Sequence, residues 1–129
     1  MRLSYPTNIK IIRVPCTGKV DVMYLLRCFQ EGADGVLIAG CHPGDCHYIN
    51  GNYRTAGRYP LVEKLLEQMG LEHGRVRLEW VSAAEGEKFQ RVVTEFTAEI
   101  RALGPLGWGK QFHDESADVQ EAVKEAVPV

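Results

Sequence analysis

The sequence lacks the features that mark several large classes of protein. It has no run of about 18 apolar residues, the shortest stretch expected of a membrane-spanning helix. Its 15 lysines and arginines are outnumbered by 17 aspartates and glutamates, so it lacks the excess of positive charge that is typical of nucleic-acid-binding proteins. The sequence also lacks glycine-rich dinucleotide-binding motifs, P-loops, serine-hydrolase motifs and internal repeats. We therefore predict no membrane span and no nucleic-acid partner.

The beginning of the chain also lacks an apolar stretch of the signal-peptide type. Without an export signal, the four cysteines are better interpreted as free thiols or metal ligands than as disulfides. The expected compartment is the cytoplasm. The 129 residues are enough for one domain with an ordinary core.

Apolar periodicity divides most of the chain into alternating strands and helices. Strands are predicted at residues 9–14, 35–39 and 75–81, and helices at residues 20–30, from 53 or 59 to 69, and 82–103. The helix that ends near residue 69 has an apolar face of Leu61, Leu65, Leu66 and Met69. This order predicts an α/β fold with a doubly wound parallel sheet and helices on both faces. Residues 1–104 form this domain, and residues 105–129 form a C-terminal tail that either docks as a short helix or stays mobile.

The densest chemistry lies directly after the second predicted strand. Two cysteines, two histidines and an aspartate occur within residues 41–47, where Pro43 and Gly44 make a tight turn. Cys16 follows the first strand in the same way that Cys41 follows the second. Parallel strands lie ~5 Å apart and end at one edge of the sheet, so Cys16, Cys41 and Cys46 are expected to converge. The sequence therefore predicts a metal centre at the carboxyl edge of the sheet.

The remaining candidates have competing interpretations. Cys28 falls within a predicted helix, where a free cysteine usually acts as a small buried apolar residue. His42 and His47 can ligate a metal, donate hydrogen bonds to ligand sulfurs, or cap the turn. We favour hydrogen bonding to a sulfur for one of the two histidines.

The cysteine spacing leaves several kinds of site open. Two cysteines with four residues between them match the opening of the plant-type [2Fe–2S] pattern. A thiol oxidoreductase would favour Cys-x-x-Cys, and the spacing here is two residues longer. A structural zinc site needs four ligands, which His42 or His47 can complete. An absorption spectrum separates zinc, which is colourless, from iron.

Several stretches resemble the delta (iron–sulfur) subunit of methyl-viologen-reducing hydrogenase. They are residues 5–14, Cys16, residues 17–21, residues 32–48, residues 51–53 and residues 78–89. The resemblance implies a [2Fe–2S] protein that passes single electrons and has no substrate site of its own, with Cys16, Cys41 and Cys46 as ligands. It also implies partners: a hydrogenase or formate dehydrogenase, and the flavin-bearing A subunit of heterodisulfide reductase or a related electron-bifurcating complex. The alternative function is a metal-free or zinc-bound structural adaptor of such a complex.

The resemblance has one departure. Members of this family usually begin with a further strand and a Cys-Cys-x-x-Cys segment, which the present residues do not contain. A [2Fe–2S] cluster takes four ligands, and only three thiols are expected at the site. His42 or His47, a second polypeptide, or residues upstream of Met1 can supply the fourth, and we expect an upstream start.

Overall fold

The computed structural model describes residues 2–109 and Ala122. In chain order, its elements are a one-turn 3-10 helix at Thr17–Lys19, helix α1 (Val22–Gln30), strand β1 (Val36–Gly40), helix α2 (Gly51–Gln68), strand β2 (Val76–Trp80) and helix α3 (Gly86–Leu103). Most of the predicted tail, residues 105–129, lies outside the described residues. No helix in the described part of the chain is both long and apolar enough to cross a membrane.

The sheet consists of two parallel strands that are connected through α2. Val36 of β1 lies opposite Val76 of β2, and the register continues to Gly40 opposite Trp80. The fold is therefore mixed α/β, as predicted, and a doubly wound sheet is not confirmed.

The predicted strand at residues 9–14 was wrong. No strand forms there, and Ile11 and Ile12 are 66% and 65% exposed. β-Branched residues favour extended backbone, but a strand also needs a neighbour to accept its hydrogen bonds. β1 pairs only with β2 in the described residues. An apolar cavity of about 590 Å³ is lined by residues of both β1 and this segment.

Helix α1 follows the predicted pattern. The Asp21 side chain accepts a hydrogen bond from the Met23 backbone N–H at 2.8 Å, which caps the helix. Leu25 and Phe29 are buried, and Gly32 follows the helix with a φ of 105°. This left-handed conformation is the usual way for a glycine to end a helix.

Helix α2 corrects two predictions. It begins at Gly51, before either predicted start, and it continues through Pro60. The predicted apolar face is not the buried face of the helix, because Leu61, Leu65 and Met69 are exposed. The buried residues of α2 are Gly51, Asn52, Thr55, Val62 and Leu66.

Helix α3 begins at Gly86 instead of the predicted Ser82. Before the helix, the Glu85 carboxylate accepts a hydrogen bond from the Ser82 backbone N–H at 3.0 Å. The helix buries Val92, Val93 and Phe96.

The apolar core joins α1, α2 and the sheet. Its buried members are Leu25, Phe29, Ile38, Val62, Leu66, Leu71 and Val76. Near the amino end of β2, the fully buried Arg75 guanidinium donates to the Asp34 carbonyl at 2.8 Å. The carboxyl end of β1, where Cys41 follows Gly40, contributes none of these core residues.

Candidate metal centre

Two segments of the chain bring three cysteines to the carboxyl end of β1. Cys16 precedes the 3-10 turn, Cys41 directly follows β1, and Cys46 lies in the loop before α2. The Cys16 and Cys46 Sγ atoms are 3.6 Å apart. Two thiolates bound to one tetrahedral ion at about 2.3 Å are about 3.8 Å apart, so this pair has the spacing of two ligands on one ion.

The Cys41 sulfur completes the group. Burial raises the pKa of the Cys41 thiol, and the neighbouring Cys46 and Cys16 sulfurs raise it further. Negative charge on the Cys46 or Cys16 sulfur therefore opposes ionisation of Cys41. A bound cation would relieve that repulsion.

Backbone N–H groups favour the thiolate form of Cys46. They lower the pKa of Cys46 to about 7, chiefly through the N–H of Asn52, with further hydrogen bonds from Tyr48 and Gly51. Burial acts in the opposite direction and is outweighed. A thiolate is the form of cysteine that binds metal, so the beginning of α2 prepares this sulfur as a ligand. The Cys16 sulfur accepts a hydrogen bond from the Gly18 N–H at 3.4 Å.

Two glycines allow the segments to approach this closely. A Cβ atom on Gly51 would overlap the Cys16 sulfur and lie 3.2 Å from the Cys46 sulfur. A Cβ atom on Gly18 would lie 2.9 Å from the Gly51 backbone. The local sequence of Gly51, between two asparagines, is typical of a turn, and its position just after the cysteine loop is the signal that could have marked it.

Two further residues of α2 were missed by the sequence analysis. Asn52, which is fully buried, donates to the His42 carbonyl at 2.7 Å, the Cys41 carbonyl at 3.1 Å and the Cys41 sulfur at 3.6 Å. The Arg58 guanidinium donates to the Val20 carbonyl at 2.6 Å and the Gly18 carbonyl at 3.4 Å. These two side chains hold the segments that carry Cys41 and Cys16. Nothing in the local sequence pattern marks Arg58 for this role.

Both predicted histidines are engaged by groups other than the cysteine sulfurs. The Nε2 atom of His42 pairs with the Glu85 carboxylate. The Ser82 backbone N–H and the His42 side chain lower the pKa of Glu85 to about 2. The exposed His47 ring packs edge-on against Tyr48, with ring centroids 5.2 Å apart.

Cys28 lies apart from the cysteine group, within α1. It is among the residues that line the apolar cavity, and burial raises the pKa of its thiol. The side chain is half-buried, so its role as a buried apolar residue stays a prediction.

The donor set fits an iron–sulfur cluster in type and is one ligand short in number. Among residues 2–109, no three His, Cys, Asp or Glu side chains are arranged to hold a single metal ion. A [2Fe–2S] cluster divides four ligands between two irons, so its thiolates do not all surround one point. The 3.6 Å between the Cys16 and Cys46 sulfurs would suit two ligands on one metal ion, and Cys41 would be a third ligand of such a cluster.

Comparison with known proteins gives the chain its relatives. A family model described as "Methyl-viologen-reducing hydrogenase, delta subunit" matches residues 1–104. The iron-sulfur subunit of the F420-non-reducing hydrogenase of Archaeoglobus profundus is 52% identical over 106 residues, which are 82% of this chain and 77% of the relative. The iron-sulfur subunit of the vhc F420-non-reducing hydrogenase of Methanococcus voltae is 49% identical over 104 residues, which are 81% of this chain and 72% of the relative.

The same region also occurs inside a much larger protein. The A subunit of the ferredoxin:CoB-CoM heterodisulfide reductase of Methanosarcina mazei is 42% identical over 106 residues, which are 82% of this chain but only 13% of that relative. The match to the family model covers the cysteine segments, the sheet and all three helices. The chain belongs to the family of methyl-viologen-reducing hydrogenase delta subunits.

Proposed function

We propose that the protein is an electron-transfer subunit that carries a [2Fe–2S] cluster on Cys16, Cys41 and Cys46. The observation that carries the proposal is the convergence of three cysteine sulfurs at the end of β1, two of them 3.6 Å apart. Such a cluster supplies one-electron transfer when bound. The names of the relatives, which include "iron-sulfur subunit", support the same cofactor class.

The surroundings of the cysteines suit a group that exchanges electrons and does not bind a substrate. The Cys46 sulfur is only partly buried, and the neighbouring Tyr48, Ile49 and Tyr53 are 57%, 82% and 54% exposed. Exposed apolar side chains around a redox centre form a surface that a partner can cover. We assign no substrate site to the chain itself.

The relatives indicate which partners to test. Iron-sulfur subunits named for hydrogenases match most of this chain, and the larger heterodisulfide reductase protein contains the same region within one polypeptide. We propose that the protein links a hydrogenase or formate dehydrogenase to a flavoprotein like the A subunit of heterodisulfide reductase, in the cytoplasm. The surface formed by Tyr48, Ile49 and Tyr53 is the proposed contact.

Iron and acid-labile sulfide analysis of anaerobically purified protein tests the proposed cofactor. Two irons and two sulfides per chain, visible absorption that bleaches on reduction and a one-electron EPR signal are expected. Zinc in their place, or a folded protein without metal, would overturn the proposal and favour the adaptor alternative. A fourth ligand that is a histidine nitrogen would appear as strong hyperfine coupling to ¹⁵N introduced only in the histidine rings, which a cysteine ligand would not give.

The proposed partners are tested by native purification. The protein is expected to co-purify with a flavoprotein and with hydrogenase or formate dehydrogenase subunits. Tyr48→Ser together with Ile49→Ser should weaken that association and leave iron content unchanged, because neither side chain is a proposed ligand. Recovery of the unaltered protein as a stable monomer would contradict the proposed assembly.

A further inference from the structure

Asn52 has more bonds to the cysteine segments than any residue that the sequence pattern singled out. It is completely buried on the first turn of α2. Its side-chain amide group has two hydrogens but three acceptors within reach, the His42 carbonyl, the Cys41 carbonyl and the Cys41 sulfur. The shortest bond, at 2.7 Å, goes to His42, so the second hydrogen is shared between the carbonyl and the sulfur of Cys41.

The other end of the same side chain is unusual. The Asn52 Oδ1 atom is buried and has no hydrogen-bond partner among the residues that the structure describes. An unpaired buried acceptor destabilises the folded protein, so it is retained only where the rest of the side chain has a use. Here the amide nitrogen is directed to Cys41, and the backbone N–H of the same residue bonds Cys46.

We propose that Asn52 is the positioning residue of the metal centre, which fixes Cys41 by its two carbonyl bonds and raises the reduction potential of the cluster by donating to the Cys41 sulfur. The inference rests on the proposed function. Reduction adds negative charge to the cluster and its sulfur ligands, and a hydrogen bond to sulfur stabilises the more negative state. Removal of the donor therefore makes the cluster harder to reduce.

Two variants and a matched control separate the effect of losing the Asn52 hydrogen bonds from the effect of adding a negative charge. Asn52→Ala removes the donors, and Asn52→Asp also removes them and adds a charge. Asn50→Asp adds the same charge two residues away, at an exposed position whose side chain makes no capping bond. Optical redox titration of each anaerobically purified protein gives the potential, and iron content and thermal unfolding are measured on the same samples.

At a fixed applied potential, Asn52→Ala is expected to raise the ratio of oxidised to reduced cluster about tenfold. For a one-electron couple this corresponds to a reduction potential about 59 mV lower. Asn52→Asp should shift it further, and Asn50→Asp by clearly less than Asn52→Asp. Loss of iron from an Asn52 variant whose thermal unfolding matches the unaltered protein also supports the positioning role. Equal potentials in Asn52→Ala and the unaltered protein, at full iron content, would overturn it.

A measurement on the unaltered protein covers the case in which both variants fail to fold. The chain is produced with asparagine labelled by ¹⁵N only in its side-chain amide, and the reduced cluster is examined by pulsed EPR. Hyperfine coupling to that nitrogen is expected, and its loss in Asn52→Ala but not in Asn50→Asp assigns it where the variants fold. No coupling from the labelled amide contradicts the proposal, whereas absence of any cluster from the unaltered protein refutes the proposed function instead.

Discussion

The two halves of α2 bury different kinds of residue and have different roles. At its beginning, Gly51, Asn52 and Thr55 are buried without a large apolar side chain among them, and they contact the cysteine segments or their own helix. In its second half, Val62 and Leu66 are buried in the apolar core. The comparison shows that the beginning of α2 makes hydrogen bonds to the cysteine segments, whereas its second half packs into the apolar core.

The largest effect on stability is expected at the core end. Leu66 is 2% exposed, so Leu66→Ala should lower the free energy of unfolding by about 2–5 kcal/mol through lost burial and the cavity left behind. Leu61→Ala, at a side chain that is 71% exposed on the same helix, should change it by less than about 0.5 kcal/mol. Urea unfolding of the metal-free proteins measures both, and equal losses would mean that the buried face of α2 is assigned wrongly.

A smaller loss of stability, with a larger effect on metal, is expected at the site end. In Gly51→Ala the added Cβ overlaps the Cys16 sulfur, so the cysteines must move apart. We expect about 1–3 kcal/mol of destabilisation from overpacking and a severalfold loss of bound iron.

The same helix offers a control for that substitution. Gly57 is exposed, and a Cβ there would meet nothing within 4 Å. Gly57→Ala should stabilise the protein by roughly 0.5–1 kcal/mol and leave iron content unchanged. Full iron occupancy in Gly51→Ala would show that the close approach at Gly51 is dispensable.

The smallest effect concerns acid sensitivity at the loop that α2 holds. The pKa of Glu85 lies near 2 in the folded protein, below its ordinary 4.5, because Ser82 and His42 stabilise the carboxylate. The resulting stability is present above pH ~4.5 and is lost as the pH falls toward 2. Relative to Glu85→Gln, the unaltered protein should have the higher Tm above pH 4.5, and the gap should close near pH 2. Glu87→Gln, which removes an exposed carboxylate of α3, is the matched control for the loss of one negative charge.

The sequence predicted the close approach of Cys16 and Cys46 better than it predicted the sheet. The cysteine group was predictable because turn residues and ligand types are local features, and Cys41 immediately follows a recognisable buried strand. The absence of a strand at residues 9–14 was not predictable, because β-branched residues show only a preference for extended backbone. Whether a partner strand lies beside them is a property of the folded chain.

The errors in α2 have a related cause. Sequence periodicity finds apolar stripes, and the apolar stripe through Leu61, Leu65 and Met69 lies on the exposed side of the helix. The buried side begins with glycine, asparagine and threonine, which carry no hydropathy signal. Asn52 and Arg58 were missed for the same reason, since their roles depend on backbone carbonyls that only the folded structure brings near them.

The central claim is that three of the four cysteines form the metal centre and that Cys28 does not. Single substitutions to serine at Cys16, Cys41, Cys46 and Cys28, each followed by iron and sulfide analysis of the anaerobically purified protein, test it directly. The account predicts that the first three variants lose most of their iron and that Cys28→Ser keeps the iron and sulfide of the unaltered protein. Retention of a full cluster in Cys16→Ser, Cys41→Ser or Cys46→Ser, or its loss in a folded Cys28→Ser, would contradict the account.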